Sequence, residues 1–459
     1  MTEAAVPSAQ AVVPRPAAMP GLPYFGGIVR MKKDPIGYLR EASGRGPVVR
    51  LGRLGRRSFY QVNDPDLVRS VMTAPGADVG MTRTSDVLGF LFGESVFTMQ
   101  GEPWRKRRDE LQPAFRTSNL PELFGSAAGE IEQTVEHFQP VAEARGSVDF
   151  SAALLDLLQR MIVRMMFGVA VPETAAQLTQ AFDYGLAYRQ RRRWALTSSL
   201  PLWFPTPANR KFDDGVARLN ASIVEIIEDH RAHPPQRAGL LTMLMECRDA
   251  ETGVGWSDDE LLAEVKTTFV AGWLTTTTAA TWLFDLLARH PEVAARVVAE
   301  IDALPSGRPL EYGDLHSLEF VEDTILEAMR LFPPGWLLSR RVRRPFTLGD
   351  IPLGPNSVLL VSPYALHRDP THWNEPDRFD PDRFHSKNHG EAHKAAFLPF
   401  GFGPRVCIGR GVAMMELKMI VATLLRRFRF TLADTAPAKL QPVSFLRRAD
   451  PLILDIAPR

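Results

Sequence analysis

Phe400-Gly401-Phe402-Gly403-Pro404-Arg405-Val406-Cys407-Ile408-Gly409 is the stretch from which the rest of the chain can be read. Cys407 is one of only two cysteines in 459 residues, so it belongs to neither a disulfide framework nor a cysteine-rich metal site. Glycines at 401, 403 and 409 permit the positive φ values of a tight turn and let the backbone approach something flat and bulky. Ala413, Leu417, Ile420, Val421, Leu424 and Phe428 then recur at helical spacing, which sets Cys407 at or just before a helix N-terminus. Amide N–H groups, the helix dipole and Arg405 all favour an anion there and predict a lowered thiol pKa. The alternative is an inert buried cysteine in a glycine-rich turn.

These ten residues resemble the haem-binding signature of the cytochrome P450 family, with Phe400, Gly403, Arg405, Cys407 and Gly409 at the family's positions. The resemblance implies a mainly α fold with a small β region, the cytochrome P450 fold. It also implies that Cys407 is the axial thiolate on the iron of haem b (heme b, iron protoporphyrin IX), pushing electron density toward bound oxygen.

Composition is that of a globular protein with a large core: 45% hydrophobic and 23% charged residues. A formal net charge of +1 leaves no electrostatic footprint for nucleic acid or for an anionic membrane. Two distant cysteines suit a reducing compartment, so a cytoplasmic location is expected. Met1 to Pro20 is rich in Ala, Pro and Val and lacks a basic n-region, so residues 1–22 read as a disordered tail and 23–459 as one domain. The one long uncharged run, between Lys266 and Asp285, holds seven threonines and Gly272, which suits a buried central helix better than a membrane span.

Pro47 to Val62 reads as two short strands around Gly52 to Arg57, and Asp64-Pro65 opens a helix through Val71. Helical spacing covers 121–139, 150–168, 172–190, 212–232, 257–290 and 291–303. Phe346-Thr347-Leu348 and Val358-Leu359-Leu360-Val361 read as strands, followed by an irregular stretch over 366–396. His385, His389 and His393 are spaced by four, but their polar, Gly-containing surroundings favour a surface loop over a metal site. Gly401-Phe402-Gly403 and Gly409-Arg410-Gly411 do not complete a dinucleotide-binding loop.

Three further motifs carry the resemblance. Ser257-Asp258-Asp259-Glu260 is a capping box, and it opens a helix of about 50 Å ended by His290-Pro291. In its middle Ala271-Gly272-Trp273-Leu274-Thr275-Thr276 resembles the family's oxygen-side motif, with Ala271, Gly272 and Thr275 matching. The resemblance implies that Gly272 leaves room for dioxygen and that Thr275 relays a proton. Leu274 departs from it, standing where the family supplies an acid, and an apolar side chain passes no proton. Glu327-Ala328-Met329-Arg330 fits Glu-x-x-Arg on one helix face, and the resemblance implies a buried triad with Arg383. Trp104-Arg105-Lys106-Arg107-Arg108 resembles Trp-x-x-x-Arg. Trp104, Arg108, Arg340 and Arg405 are then the implied donors to the two haem propionates. Arg105, Lys106 and Arg107 are expected to face outward, where an acidic electron-transfer partner docks.

The implied activity is insertion of one oxygen atom from O2 into an apolar small molecule of terpenoid, polyketide, steroid or fatty acyl class. By the same resemblance Val87, Leu88, Phe90, Phe92, Phe269, Val270, Trp273, Trp336, Leu337, Val443 and Phe445 face the substrate. With no flavin or reductase domain and no membrane anchor legible, a separate ferredoxin or flavodoxin with its reductase is the expected electron source, and a monomer the expected state. Leu274 keeps open a haem-thiolate isomerase, dehydratase or peroxide-driven oxidase. A haem-based sensor is the non-enzyme alternative.

Overall fold

The computed structural model describes residues 16–20, 26–82, 92–168, 204, 206–235, 239–385 and 395–459. The central helix, Asp258–Arg289, organises the rest. Ser257 caps it through the reciprocal bonds with Glu260 expected of the capping box, and His290 ends it before Pro291. Twenty-one of its residues are buried on all sides of the helix, as a helix through the middle of a domain must be. Against it lie Phe150–Phe167, Pro207–Ala232, Glu319–Leu331 and Arg410–Arg427. Leu120–Glu143 packs on Phe150–Phe167, and all share one large apolar core. The helix expected over 172–190 lies outside the described residues, as do His389 and His393.

The β region forms a six-stranded sheet in the order Ala17–Ala18, Val48–Leu54, Arg57–Val62, Val358–Val361, Leu338–Val342 and Val79–Met81. The expected hairpin turns at Gly55, whose φ is +57°. The tail reading needs correction at its end. Ala17 and Ala18 pair in parallel with Val49 and Arg50, because the edge of Val48–Leu54 offers unpaired backbone groups that a short apolar segment satisfies. Phe346–Leu348 is a strand as expected and pairs with Ile351–Leu353 across Gly349, at φ +58°. Within the irregular stretch, Trp373, Phe379 and Phe384 are buried and pin the chain to the core.

Candidate functional site

The loop before Arg410–Arg427 is a tight coil held by its own backbone. Cys407 N–H donates to Phe400 O at 2.9 Å, and Val406 N–H to Gly403 O at 3.0 Å. Gly401 and Gly403 sit at φ +76° and +74°, where side chains are disfavoured. A Cβ on Gly403 would also lie 2.8 Å from Met72 O, so glycine is needed there twice over. Gly409 has φ −84° and open space beside it, so neither reason applies to it.

Cys407 is accessible on one side yet set deep in protein. Burial raises its thiol pKa, against the opposing pull of the Gly409 N–H, Arg108 and Arg410. The expected lowering is therefore overturned: the helix start and the arginines act in the predicted sense, but desolvation outweighs them. A metal cation bonded to the sulfur reverses that balance, since a coordinating thiol is deprotonated outright.

Around this loop stand cationic donors without acidic partners. Arg405 donates to Met99 O at 2.7 Å and lies 4.1 Å over the Trp104 ring. Its pKa is pushed down to about 10 by burial and by Arg340 and Arg343. Arg340 is buried, and among the described residues its side chain bonds only the Ser339 carbonyl. Arg108 is half-buried and feels the field of Cys407. Among the described residues none of Arg108, Arg340 and Arg405 meets a carboxylate, which is costly for buried guanidinium groups. Such a set fits a ligand that brings its own two carboxylates, as haem b does.

Arg107 behaves differently from the expectation. It is only 4% exposed and bonds Glu264 at 3.2 Å, with Glu110 and Glu260 also in ion-pair contact and the Trp256 ring beneath it. Helical geometry turns it away from its exposed neighbours Arg105 and Lys106, toward the first turns of the central helix.

On the central helix, Ala271 is exposed between partly exposed Val270 and Gly272, whereas Phe269, Trp273 and Leu274 are buried. An exposed alanine in mid-helix, deep in the molecule, borders a hollow. Thr275, one turn on, is partly exposed, and its hydroxyl donates to Ala271 O at 2.9 Å. Gly272 faces elsewhere: a Cβ there would lie 2.7 Å from Ile162 Cδ1. Its missing side chain lets the central helix pack closely on Phe150–Phe167, and room beside the hollow comes from Ala271. Leu274 is buried in the core.

Several expected substrate contacts are redirected. Phe269 and Trp273 are fully buried in the main core, because residues two apart from Ala271 on a helix point to the far side. Trp336 is buried in the cluster beside the sheet and donates its indole N–H to Val443 O at 3.2 Å. Phe92 is buried, edge-on to Phe97. Val270, Leu337, Val443 and Phe445 stay partly exposed, while Val87, Leu88 and Phe90 lie outside the described residues.

Glu327, Arg330 and Arg383 do come together. Arg330 bonds both Glu327 oxygens at 2.6 and 2.8 Å, and Arg383 Nε lies 3.4 Å from Glu327 Oε1. Arg330 also donates to the carbonyls of His367, Pro376 and Arg378, which ties the irregular stretch to the core. His367, which no motif singled out, completes this knot. Its Nε2 accepts the Leu398 N–H at 2.8 Å, so Nδ1 carries the proton and donates to Arg330 O at 3.1 Å. Burial and the Arg330 charge push its pKa down to about 3, and it stays neutral.

Glu416 was equally invisible in sequence. It is fully buried on the helix after Cys407, and its Oε2 lies 3.0 Å from Thr276 Oγ1. Thr276 Oγ1 also lies 2.9 Å from Gly272 O, so its one proton is shared between that carbonyl and the Glu416 carboxyl. Burial raises the Glu416 pKa to about 8. A carboxyl whose pKa is higher folded than unfolded loses stability as pH rises from its unfolded value to its folded one. Glu416→Gln keeps a donor but removes that term. Relative to wild type it should gain about 1.4 kcal/mol per pH unit between pH 5 and 8. Unfolding curves at both pH values check this, and parallel pH dependence would refute it.

A family model described as Cytochrome P450 matches residues 16–456. "Cyclooctatin synthase" of Streptomyces melanosporofaciens is 35% identical, over 89% of this chain and 88% of that protein. "Cyclooctat-9-en-7-ol 5-monooxygenase" of the same organism is 32% identical, over 89% and 88%. "Pentalenene oxygenase" of Streptomyces avermitilis is 31% identical, over 93% and 94%. The crystal structure of the cytochrome P450DA heme domain superposes with a TM-score of 0.86, covering 98% of both chains at 24% identity, which speaks to fold alone. Among the described residues no helix is long and apolar enough to cross a membrane. A match over nearly the whole length, with relatives above 30% identity covered as fully, means that this chain belongs to the cytochrome P450 family and is a haem b monooxygenase.

Proposed function

We propose that Cys407 is the axial thiolate, that Trp104, Arg108, Arg340 and Arg405 hold the two haem carboxylates, and that the substrate is an apolar polycyclic terpenoid. The observation that supports it best is the gathering of partly or fully buried arginines without acidic partners around the Cys407 loop. Phe400, whose ring lies 5.5 Å from the Arg410 guanidinium, is the further residue of this loop that we assign to haem binding. The terpenoid reading follows the relatives named for cyclooctat-9-en-7-ol and pentalenene.

Bound haem supplies dioxygen activation; the chain supplies position, dryness and protons. The overall change is RH + O2 + two electrons + two protons → ROH + H2O. Two protons must reach a hollow with no acid at 274, and Thr275 is the hydroxyl this chain sets beside Ala271. Leu274→Glu is not a way to restore a relay, because the new carboxylate would be buried in the core. Thr275→Ala should lower product formed per reduced nicotinamide about tenfold while nicotinamide consumption continues. Undiminished coupling would sink the role given to Thr275.

Electrons come from a separate acidic carrier, a ferredoxin or flavodoxin with its reductase, docking over the outer side of the Cys407 loop. Exposed Arg69 and Arg410 sit over Phe402 and Phe400 there, and exposed Arg105 adjoins Trp104. We place the protein in the cytoplasm as a monomer, where both thiols stay reduced.

A further inference from the structure

The central helix carries seven threonines, and six of them divide into two kinds. Thr275, Thr276, Thr277, Thr278 and Thr281 each return the hydroxyl proton to the carbonyl four residues back, at 2.8–2.9 Å. Thr267 does not. Its hydroxyl is buried with no hydrogen-bond partner among the described residues, and the residue is only 6% exposed. Buried hydroxyls in folded proteins are almost always paired, so this one calls for an explanation. The usual escape, a bond to the carbonyl four back, is the one its five relatives take.

Its place on the helix suggests what pairs it. Thr267, Ala271 and Thr275 follow at intervals of four and share one face. That is the face on which Ala271 is exposed to the hollow. One turn earlier Glu264 accepts the Val96 N–H at 2.7 Å, tying down the segment that follows Phe92. Thr267 thus stands between that segment and the oxygen-reacting end of the hollow, with its hydroxyl uncommitted.

We propose that Thr267 Oγ1 hydrogen-bonds a hydroxyl already present on the substrate, so that the enzyme acts on a polycyclic alcohol in preference to the bare hydrocarbon. The proposal rests on the polycyclic-substrate reading above and narrows it. Eight residues of helix separate Thr267 from Thr275 by about 12 Å. The recognised oxygen therefore lies at the far end of the substrate from the carbon oxidised, too distant to serve as proton donor there. The class of reaction that supplies such a substrate is a first hydroxylation of the hydrocarbon, or a cyclisation ended by water.

The test uses haem-loaded protein and matched pairs: cyclooctat-9-en-7-ol with the same hydrocarbon lacking the 7-hydroxyl, and pentalenene with a monohydroxylated pentalenene. Dissociation constants come from the ligand-induced shift of the haem band. Wild type should bind at least one alcohol about tenfold or more tighter than its hydrocarbon. Thr267→Val, close in shape but without the hydroxyl, should equalise that pair, and Thr267→Ser should restore the preference. Equal binding of both members of every pair by wild type overturns the proposal, as does a preference that survives Thr267→Val or vanishes only in Thr268→Val. A haem-loaded protein whose band no compound shifts overturns the polycyclic-substrate reading itself, and the proposal with it.

Discussion

Cys407→Ser is expected to abolish the red-shifted Soret band of the reduced carbonyl complex and to leave no turnover above background. The thiolate is the one anionic ligand that the loop presents, and serine does not ionise at neutral pH to replace it. The loop itself should survive, because its hydrogen bonds run from backbone to backbone and the Cys407 N–H to Phe400 O bond needs no sulfur. Cys247→Ser provides the contrast. That thiol is buried, lies 3.4 Å from Met243 O, and is pushed up to about 11 by burial and Glu110. It should keep the band unchanged. Retention of the red-shifted band in Cys407→Ser would remove the assignment on which the rest of the site depends.

Glu327→Ala is expected to cost about 3–5 kcal/mol, because it strands a fully buried guanidinium. Arg330→Ala should cost at least as much. It leaves the Glu327 carboxylate, whose pKa burial already raises, without its bidentate partner, and it frees three carbonyls of the irregular stretch. Arg330→Lys should recover little of this, since an ammonium cannot span two carboxylate oxygens and three carbonyls from one plane. Arg383→Ala should cost least of the three. Its Nε is 3.4 Å from Glu327, and its other bond goes to the Glu375 carbonyl at 2.9 Å. Unfolding midpoints and haem content per chain give the ranking. A haem-replete Glu327→Ala protein with wild-type stability would reduce the motif to a marginal pair.

The motifs were legible because each depends on local spacing. A Gly-x-Gly coil before a helix, a Ser-x-x-Glu cap and a Glu-x-x-Arg face are all set within a few residues, and the structure builds each of them. Side-chain direction was less legible. Arg107 sits in a basic run but turns inward, because its own register on the helix aims it at Glu260 and Glu264, some 150 residues away in sequence. Phe269 and Trp273 are aromatic and close to Ala271 in the chain, yet the helix carries them to its opposite side.

By itself the sequence determined the family, the cysteine that serves as the candidate ligand, the central helix with its ends, and the missing acid at 274. Each of these is a matter of residue identity at short range. Only the tertiary structure decided which charges go unpaired, which hydroxyls lack an acceptor, and which carboxyls are held neutral. That Arg340 and Arg405 lack acidic partners and Thr267 a hydrogen-bond partner among the described residues, and that burial raises the Glu416 pKa, emerges only once distant elements are packed around them. Desolvation is a property of everything that surrounds a group, and no stretch of sequence contains its own surroundings.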